Sequence, residues 1–227
     1  MTNHHNLDDE TRMIVDTVRG FVKDEMQPHE DLVDRLGHVP EEIGREIEAK
    51  SKALGLFAAN QPESVGGGGL SMKAMSLVER EYGKTSHALH SWVARPTELL
   101  LACDGDQRET YLKPCLTGEK RELFALTEPE AGSDAMGMKS NARREGADWI
   151  LNGSKHFISG PCMPDFAIVF AATGFDETKR GPRKRVTAFL VDVGTPGFDI
   201  REGNKSVSYR GYKTFQLSFD NVDRKST

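Results

Sequence analysis

Only three cysteines, Cys103, Cys115 and Cys162, occur in 227 residues, and their spacing fits neither a metal site nor a disulfide framework. Without such staples the chain must rely on its core, and a reduced cytoplasmic compartment is the simplest reading. No apolar run approaches the roughly 18 residues that cross a bilayer, so no membrane partner is expected. The start, Met1 to Glu10, is polar and then acidic; it lacks the apolar stretch of a secretory signal and the Arg-rich look of a transit peptide. Excess positive charge is also missing. The formal net charge of −5 gives no support to a nucleic-acid partner. His4 and His5 are adjacent near the terminus, and no metal site is assigned to them. What is present, 37% hydrophobic and 29% charged residues, is the balance of a folded globular chain.

The first half reads as helical. Leu7, Ile14, Val18, Phe21 and Val22 share one helical face. Asp8, Asp9 and Glu10 suit a first turn, and Pro28 is expected to close the run. A second helix is expected from Pro40 through Ile43, Ile47 and Leu54 to Gly55, and a third from Ser71 through Met72, Met75 and Val78 to Gly83. A fourth is expected from Ser86 through Trp92 to Leu101, kinked at Pro96. Asp106 and Glu109 resemble a capping box for a short helix through Leu112.

From Glu122 onward the apolar stretches become short and β-rich: Leu123–Leu126, Trp149–Leu151, Phe166–Ala171, Val186–Val191 and Phe215–Phe219. Turn residues at 145–148, 173–174 and 194–197 separate them. The expected fold class is α+β: an N-terminal all-helical domain, residues 1–119, then an antiparallel β-barrel-like middle domain, residues 120–227. The boundary falls near Gly118–Arg121.

Two segments carry the chemistry. The first, Leu126-Thr-Glu-Pro-Glu-Ala-Gly-Ser-Asp134, has a hydroxyl at Thr127, a proline-set turn, and small residues at Ala131, Gly132 and Ser133. Gly132 is free to adopt conformations that a Cβ forbids, and backbone N–H groups in such a bend can form an anion-binding concavity. The second, Trp149 to Ser159, ends in Phe157-Ile158-Ser159. Taken singly, the first is also an ordinary strand exit, and a lone Phe157 more often belongs to a core. Glu128 and Glu130 are read as turn structure and Asp134 as a local cap. Lys179–Arg185 is read as a solvated basic loop, with Arg183 the residue best suited to a ligand phosphate.

Both segments together, in this order, resemble the flavin-contacting signature of the acyl-CoA dehydrogenase family. Arg108–Leu112, Gly118-Glu119, and Arg210–Leu217 followed by Phe219-Asp220-Asn221-Val222 extend the resemblance over nearly the whole chain. It implies FAD as cofactor, with Phe124, Ala125, Leu126 and Thr127 against the flavin and Gly132 within the bend. It further implies that Ser133 reaches the flavin phosphate and the acyl-CoA, and that Phe157, Ile158 and Ser159 flank the ring. Arg183 is the residue assigned to the CoA phosphates. The implied reaction is α,β-dehydrogenation of an acyl-CoA thioester, with hydride passing to the flavin and an electron-transfer flavoprotein as acceptor. A homo- or hetero-oligomer is implied as well. Family members continue with a C-terminal helical bundle that carries the catalytic Glu, so no residue before Thr227 is assigned as base. Two other readings stay open: a truncated, non-catalytic paralogue or binding module of the same fold, and a flavin oxidase or monooxygenase sharing the architecture.

Overall fold

A computed structural model describes residues 8–179 and 181–225; His4, His5, Leu7 and Arg180 lie outside them. The chain divides into two units, Met1–Glu119 with Ser206–Tyr212, and Lys120–Lys205 with Lys213–Thr227.

In the helical unit, Asp8 starts α1 (Asp9–Phe21): its carboxylate accepts the Thr11 N–H at 2.7 Å. Val15, Val18 and Phe21 are buried, and α1 packs on α4 (Met72–Tyr82). Pro28 does not end this run. A π-helical turn (Val22–Met26) and a 3-10 turn (Gln27–His29) carry the chain into α2 (Glu30–Leu36), and left-handed Gly37 ends it. Pro28 stands in the first turn of the 3-10 segment, where a missing N–H costs no bond. α3 (Glu41–Ala53) follows Pro40, and left-handed Gly55 comes just after its end. Ser71 caps α4 through the Ala74 N–H at 3.2 Å.

The expected fourth helix does not form as one piece. α5 covers only His87–His90, and a 3-10 turn resumes at Glu98–Ala102. Pro96 breaks it rather than kinking it, since it lacks an N–H and disfavours helical geometry at Arg95. Its carbonyl instead accepts the side-chain amides of Asn60 and Gln61 at 2.9 and 2.5 Å. The capping box is shifted too: Gln107 Oε1 accepts the Asp104 N–H at 3.3 Å, ahead of the helical run that ends in α6 (Lys113–Thr117).

The second unit is a curled mixed sheet. Its strands are β1 (Glu122–Ala125), β2 (Asn141–Glu145), β3 (Asp148–Gly160), β4 (Phe166–Thr178), β5 (Gly181–Asp192), β6 (Phe198–Glu202) and β7 (Lys213–Lys225). Their order is β1-β4-β2-β3-β7-β6, with β5 paired to β4. Most pairings are antiparallel; β1 runs parallel to β4, and β2 meets β4 in parallel at Asn141 and Ala172. One face carries the core, including Leu123, Ala125, Leu151, Ile158, Val169 and Phe215. This is the expected fold class, helices then a curled sheet. β2 lacks apolar alternation and went unread, as did β6, whose Phe198 and Ile200 alternate with polar residues over only five positions.

The residues 173–174 are not a turn. Gly174 sits at a register shift within the β4–β5 hairpin, whose reversal falls between Thr178 and Gly181. The basic run is therefore not a loop, because Arg183, Lys184 and Arg185 lie on β5. Among the described residues no helix is long and apolar enough to cross a membrane.

Candidate functional site

β1 ends at Ala125, and the chain then leaves the sheet held against β3 by three hydrogen bonds. Lys155 Nζ donates to Leu126 O at 3.0 Å and to Glu128 Oε1 at 2.8 Å, and His156 N donates to Thr127 O at 2.8 Å. The two segments singled out in the sequence are thus stitched side by side. The turn closes on itself: Glu128 N donates to Ala131 O at 3.0 Å, and Ala131 N returns to Glu128 O at 3.3 Å.

Glu128 anchors this turn from below. It is 6% exposed and Lys155 only 1%. Its carboxylate also accepts the Lys139 N–H at 2.6 Å and the Ser140 N–H at 3.0 Å. Burial opposes ionisation of Glu128, but the hydrogen bonds from Lys155, Ser140 and Lys139 outweigh it and hold the carboxyl below its ordinary range. Burial pushes the Lys155 ammonium down, against the pull of Glu128. Lys155 was missed in the sequence. The signal lay in β3 alternation, which puts Lys155 on the inward face where an ammonium needs an anion.

The second segment projects through a bulge. β3 and β7 shift register between Lys155 and Ile158, and Phe157 takes φ +56°. A bulky residue in that left-handed region costs about 1–3 kcal/mol, so the surroundings must enforce it. The result points Phe157 outward, 56% exposed, with its ring 3.9 Å from that of His156. Ser159 is exposed beside it, its Oγ 3.4 Å from Phe157 O. Ile158 is buried in the core, as is Ala125, so those two can offer a ligand only backbone.

Phe124 stands on the open side of β1, 46% exposed, its ring 5.0 Å from Phe170. Leu126 and Thr127 are half-buried, and Gly132 and Ser133 are exposed. Among the described residues, the Thr127 and Ser133 hydroxyls have no hydrogen-bond partner. Gly132 does not use left-handed freedom, and a Cβ there would meet open space. Asp134 precedes a short 3-10 turn (Ala135–Gly137), but its carbonyl rather than its side chain accepts the Gly137 N–H, at 3.0 Å. Glu130 is exposed and paired with Lys139.

Arg183 lies apart from these residues on β5. It lines a cleft of about 720 Å³ with Met136, Phe175, Lys179 and Lys184. Met136 follows the Ser133 turn by three residues, so the cleft and the turn are neighbours in the chain. Of the two basic residues beside Arg183, Lys184 donates to Met138 O at 2.6 Å and Arg185 pairs with Asp176; Arg183 remains exposed. Among the described residues no group of acidic, histidine and cysteine side chains could hold a metal ion.

Comparison with known proteins identifies the family. Family models match twice: "Acyl-CoA dehydrogenase, N-terminal domain" at residues 8–119 and "Acyl-CoA dehydrogenase, middle domain" at residues 123–222. The chain is 34% identical over 209 residues to a 3-(aryl)acrylate reductase of Clostridium sporogenes, covering 90% of this chain and 53% of that protein. It is 31% identical over 220 residues to a subunit of the caffeyl-CoA reductase–Etf complex of Acetobacterium woodii, covering 94% and 56%. A solved glutaryl-CoA dehydrogenase of Mycobacterium smegmatis, in complex with FADH2, superposes with a TM-score of 0.79 at 28% identity, covering 97% of this chain and 55% of that one. The chain spans about half the length of these relatives. With both domain models matched in order over most of its residues, this chain belongs to the acyl-CoA dehydrogenase family.

Proposed function

We propose that this chain forms the flavin and acyl-CoA cradle of an FAD-dependent acyl-CoA dehydrogenase, with residues 1–119 as N-terminal domain and residues 120–227 as middle domain. The observation that carries the reading is the stitched pair of segments, in which Thr127 bonds His156, the neighbour of the outward Phe157, and Ser133 follows in the same turn. These residues fit a flavin. Phe124 and Phe157 give exposed ring surface, Thr127 and Ser133 give unpartnered hydroxyls, and the space over Gly132 admits a diphosphate closely. When bound, FAD supplies the hydride acceptor for oxidation across Cα and Cβ of the thioester.

The chain's own work is to bind and orient. Phe157 and Ser159 flank the ring, Phe124 to Thr127 support it, and Ser133 reaches toward both the flavin phosphate and the acyl-CoA. Arg183 meets a CoA phosphate. The α-proton goes to a carboxylate from a C-terminal helical domain, because Glu128 is held by Lys155 and Glu130 by Lys139. An electron-transfer flavoprotein as acceptor is supported by the Etf complex of the A. woodii relative. A cytoplasmic homo- or hetero-oligomer completes the reading, with none of the three cysteines in a disulfide.

The same engaged carboxylates favour a second reading, a non-catalytic binding module of the same fold. Titration with FAD, followed by flavin fluorescence quenching, tests the cradle. Saturable quenching is expected, weakened by Ser133→Ala and Phe157→Ala; no quenching by the chain, with or without a C-terminal helical partner, would sink it. Reduction of an artificial electron acceptor by the chain alone with an acyl-CoA would exclude the binding module.

A further inference from the structure

A cavity of about 510 Å³ opens within the helical unit, to which Ser206–Tyr212 belong. That volume is in the range of small-molecule sites. The charged side chains lining it are Glu30, Asp34 and Arg210, two carboxylates against one guanidinium. The guanidinium is committed. Arg210 Nε meets Asp34 Oδ1 at 2.8 Å, and Nε and Nη2 donate to Asp34 O at 3.1 and 2.8 Å. With that pair matched, the walls keep one unbalanced negative charge, at Glu30.

Glu30, in the first turn of α2, is half-buried. Its Oε1 accepts the Ser86 N–H at 2.9 Å. Its Oε2 has no hydrogen-bond partner among the described residues and, unlike the buried Tyr82 hydroxyl, is open to water. The ring nitrogens of half-buried His87 are likewise open and without a partner among the described residues. Burial, and then Arg95, lowers the His87 pKa, so at pH 7 the imidazole is neutral and one of its nitrogens is an acceptor. Tyr209, 58% exposed, meets the His87 ring at 5.3 Å and adds an aromatic face that attracts a cation. Arg95 opposes positive charge here, but Glu79 pairs with it at 2.8 Å. A metal ion would need a third ligating side chain, and no such group exists among the described residues. An open carboxylate oxygen, an acceptor nitrogen and a ring face instead call for a positive charge that carries N–H donors.

We propose that this cavity binds a protonated primary amine on a short aromatic stem, its ammonium donating to Glu30 Oε2 and its stem lying against Tyr209 and His87. The inference is independent of the flavin reading, and either can fail alone.

The test is calorimetric titration of the full chain at pH 7 with phenethylammonium, beside neutral 2-phenylethanol, anionic phenylacetate and benzyltrimethylammonium, a cation without N–H. Saturable phenethylammonium binding is expected, about tenfold tighter than 2-phenylethanol, with phenylacetate weaker still. Glu30→Gln keeps an acceptor for the Ser86 N–H and removes only the charge. It should weaken phenethylammonium about tenfold and leave 2-phenylethanol unchanged. Should that variant fail to fold, Tyr209→Ala at the exposed rim should weaken phenethylammonium about threefold. The proposal is overturned if phenethylammonium does not saturate, if any of the other three probes binds as tightly, or if its affinity is unchanged in the folded variants.

Discussion

The most deeply buried carboxylates of the two units, Glu81 and Glu128, solve the same problem differently. In the helical unit, Glu81 is 0% exposed and meets Arg19 at 3.1 Å, Arg80 at 3.2 Å, and Lys84. Those three cations are themselves 42%, 37% and 50% exposed. In the sheet unit, Glu128 meets one cation, Lys155, whose side chain is 0% exposed. Redundant, wetted partners make Glu81 robust. A single dry cation beside two backbone N–H donors makes the charge of Glu128 depend on Lys155, and with it the turn that carries Thr127 and Ser133.

The largest expected effect follows from that dependence. Lys155→Met strands a buried carboxylate and should cost about 3–5 kcal/mol, read as a shift in the urea midpoint. FAD quenching should weaken in parallel, because Lys155 also holds Leu126. Glu128→Gln with Lys155→Met should recover part of the loss; an unimproved double variant would break the comparison from the sheet side.

Next comes acid. Burial works against ionised Glu81, but Lys84 and Arg19 overcome it and hold its pKa at about 2. Glu128 is lowered as well. A depressed folded pKa gives stability that is present above the unfolded value, about 4.5, and lost as pH falls toward 2. Urea midpoints should therefore drop between pH 5 and pH 3, by on the order of 1–3 kcal/mol. A midpoint flat over that range would contradict both ion-pair descriptions.

A control for packing rather than charge comes third. A Cβ at Gly44 on α3 would lie 2.1 Å from the buried Trp92 ring, so Gly44→Ala should cost about 1–3 kcal/mol by thermal melting. The smallest effect belongs to Arg19→Met. With Arg80 and Lys84 remaining, the loss should stay below about 1 kcal/mol; a loss as large as that of Lys155→Met would erase the distinction between wet and dry partners.

Local rules were legible where the residue type alone dictates the backbone. Ser71 and Gly55 mark helix ends because capping oxygens and Cβ-free residues have few alternatives. The strands at Phe166 and Phe215 were legible because their apolar runs face a core. Pro28 misled because a 3-10 turn accepts it. β2, reading Asn-Ala-Arg-Arg-Glu, carries no apolar alternation; its place comes from a hairpin with β3 and from a contact with Ala172 of β4, which is distant in sequence. At the candidate site the motif residues were visible, but what positions them was not. Nothing in Phe157 favours a left-handed φ, and the bulge that imposes it depends on the register with Phe215 and Leu217. Phe157→Asn would separate strain from function, since Asn tolerates that conformation. Stability should hold or rise slightly while FAD quenching weakens.

The pairing of β3 with β7 has a consequence for synthesis. β2 emerges with β3 and pairs at once through the short reversal at Gly146, but Gly160 must wait for Lys213 and Leu151 for Val222. Ribosomes add roughly 5–20 residues each second, so one edge of β3 stands open for several seconds on every nascent chain. An open edge recruits other strands. The β-bulge that turns Phe157 outward is defined against Phe215 and Leu217, so the candidate site takes its shape only when β7 arrives to close that edge.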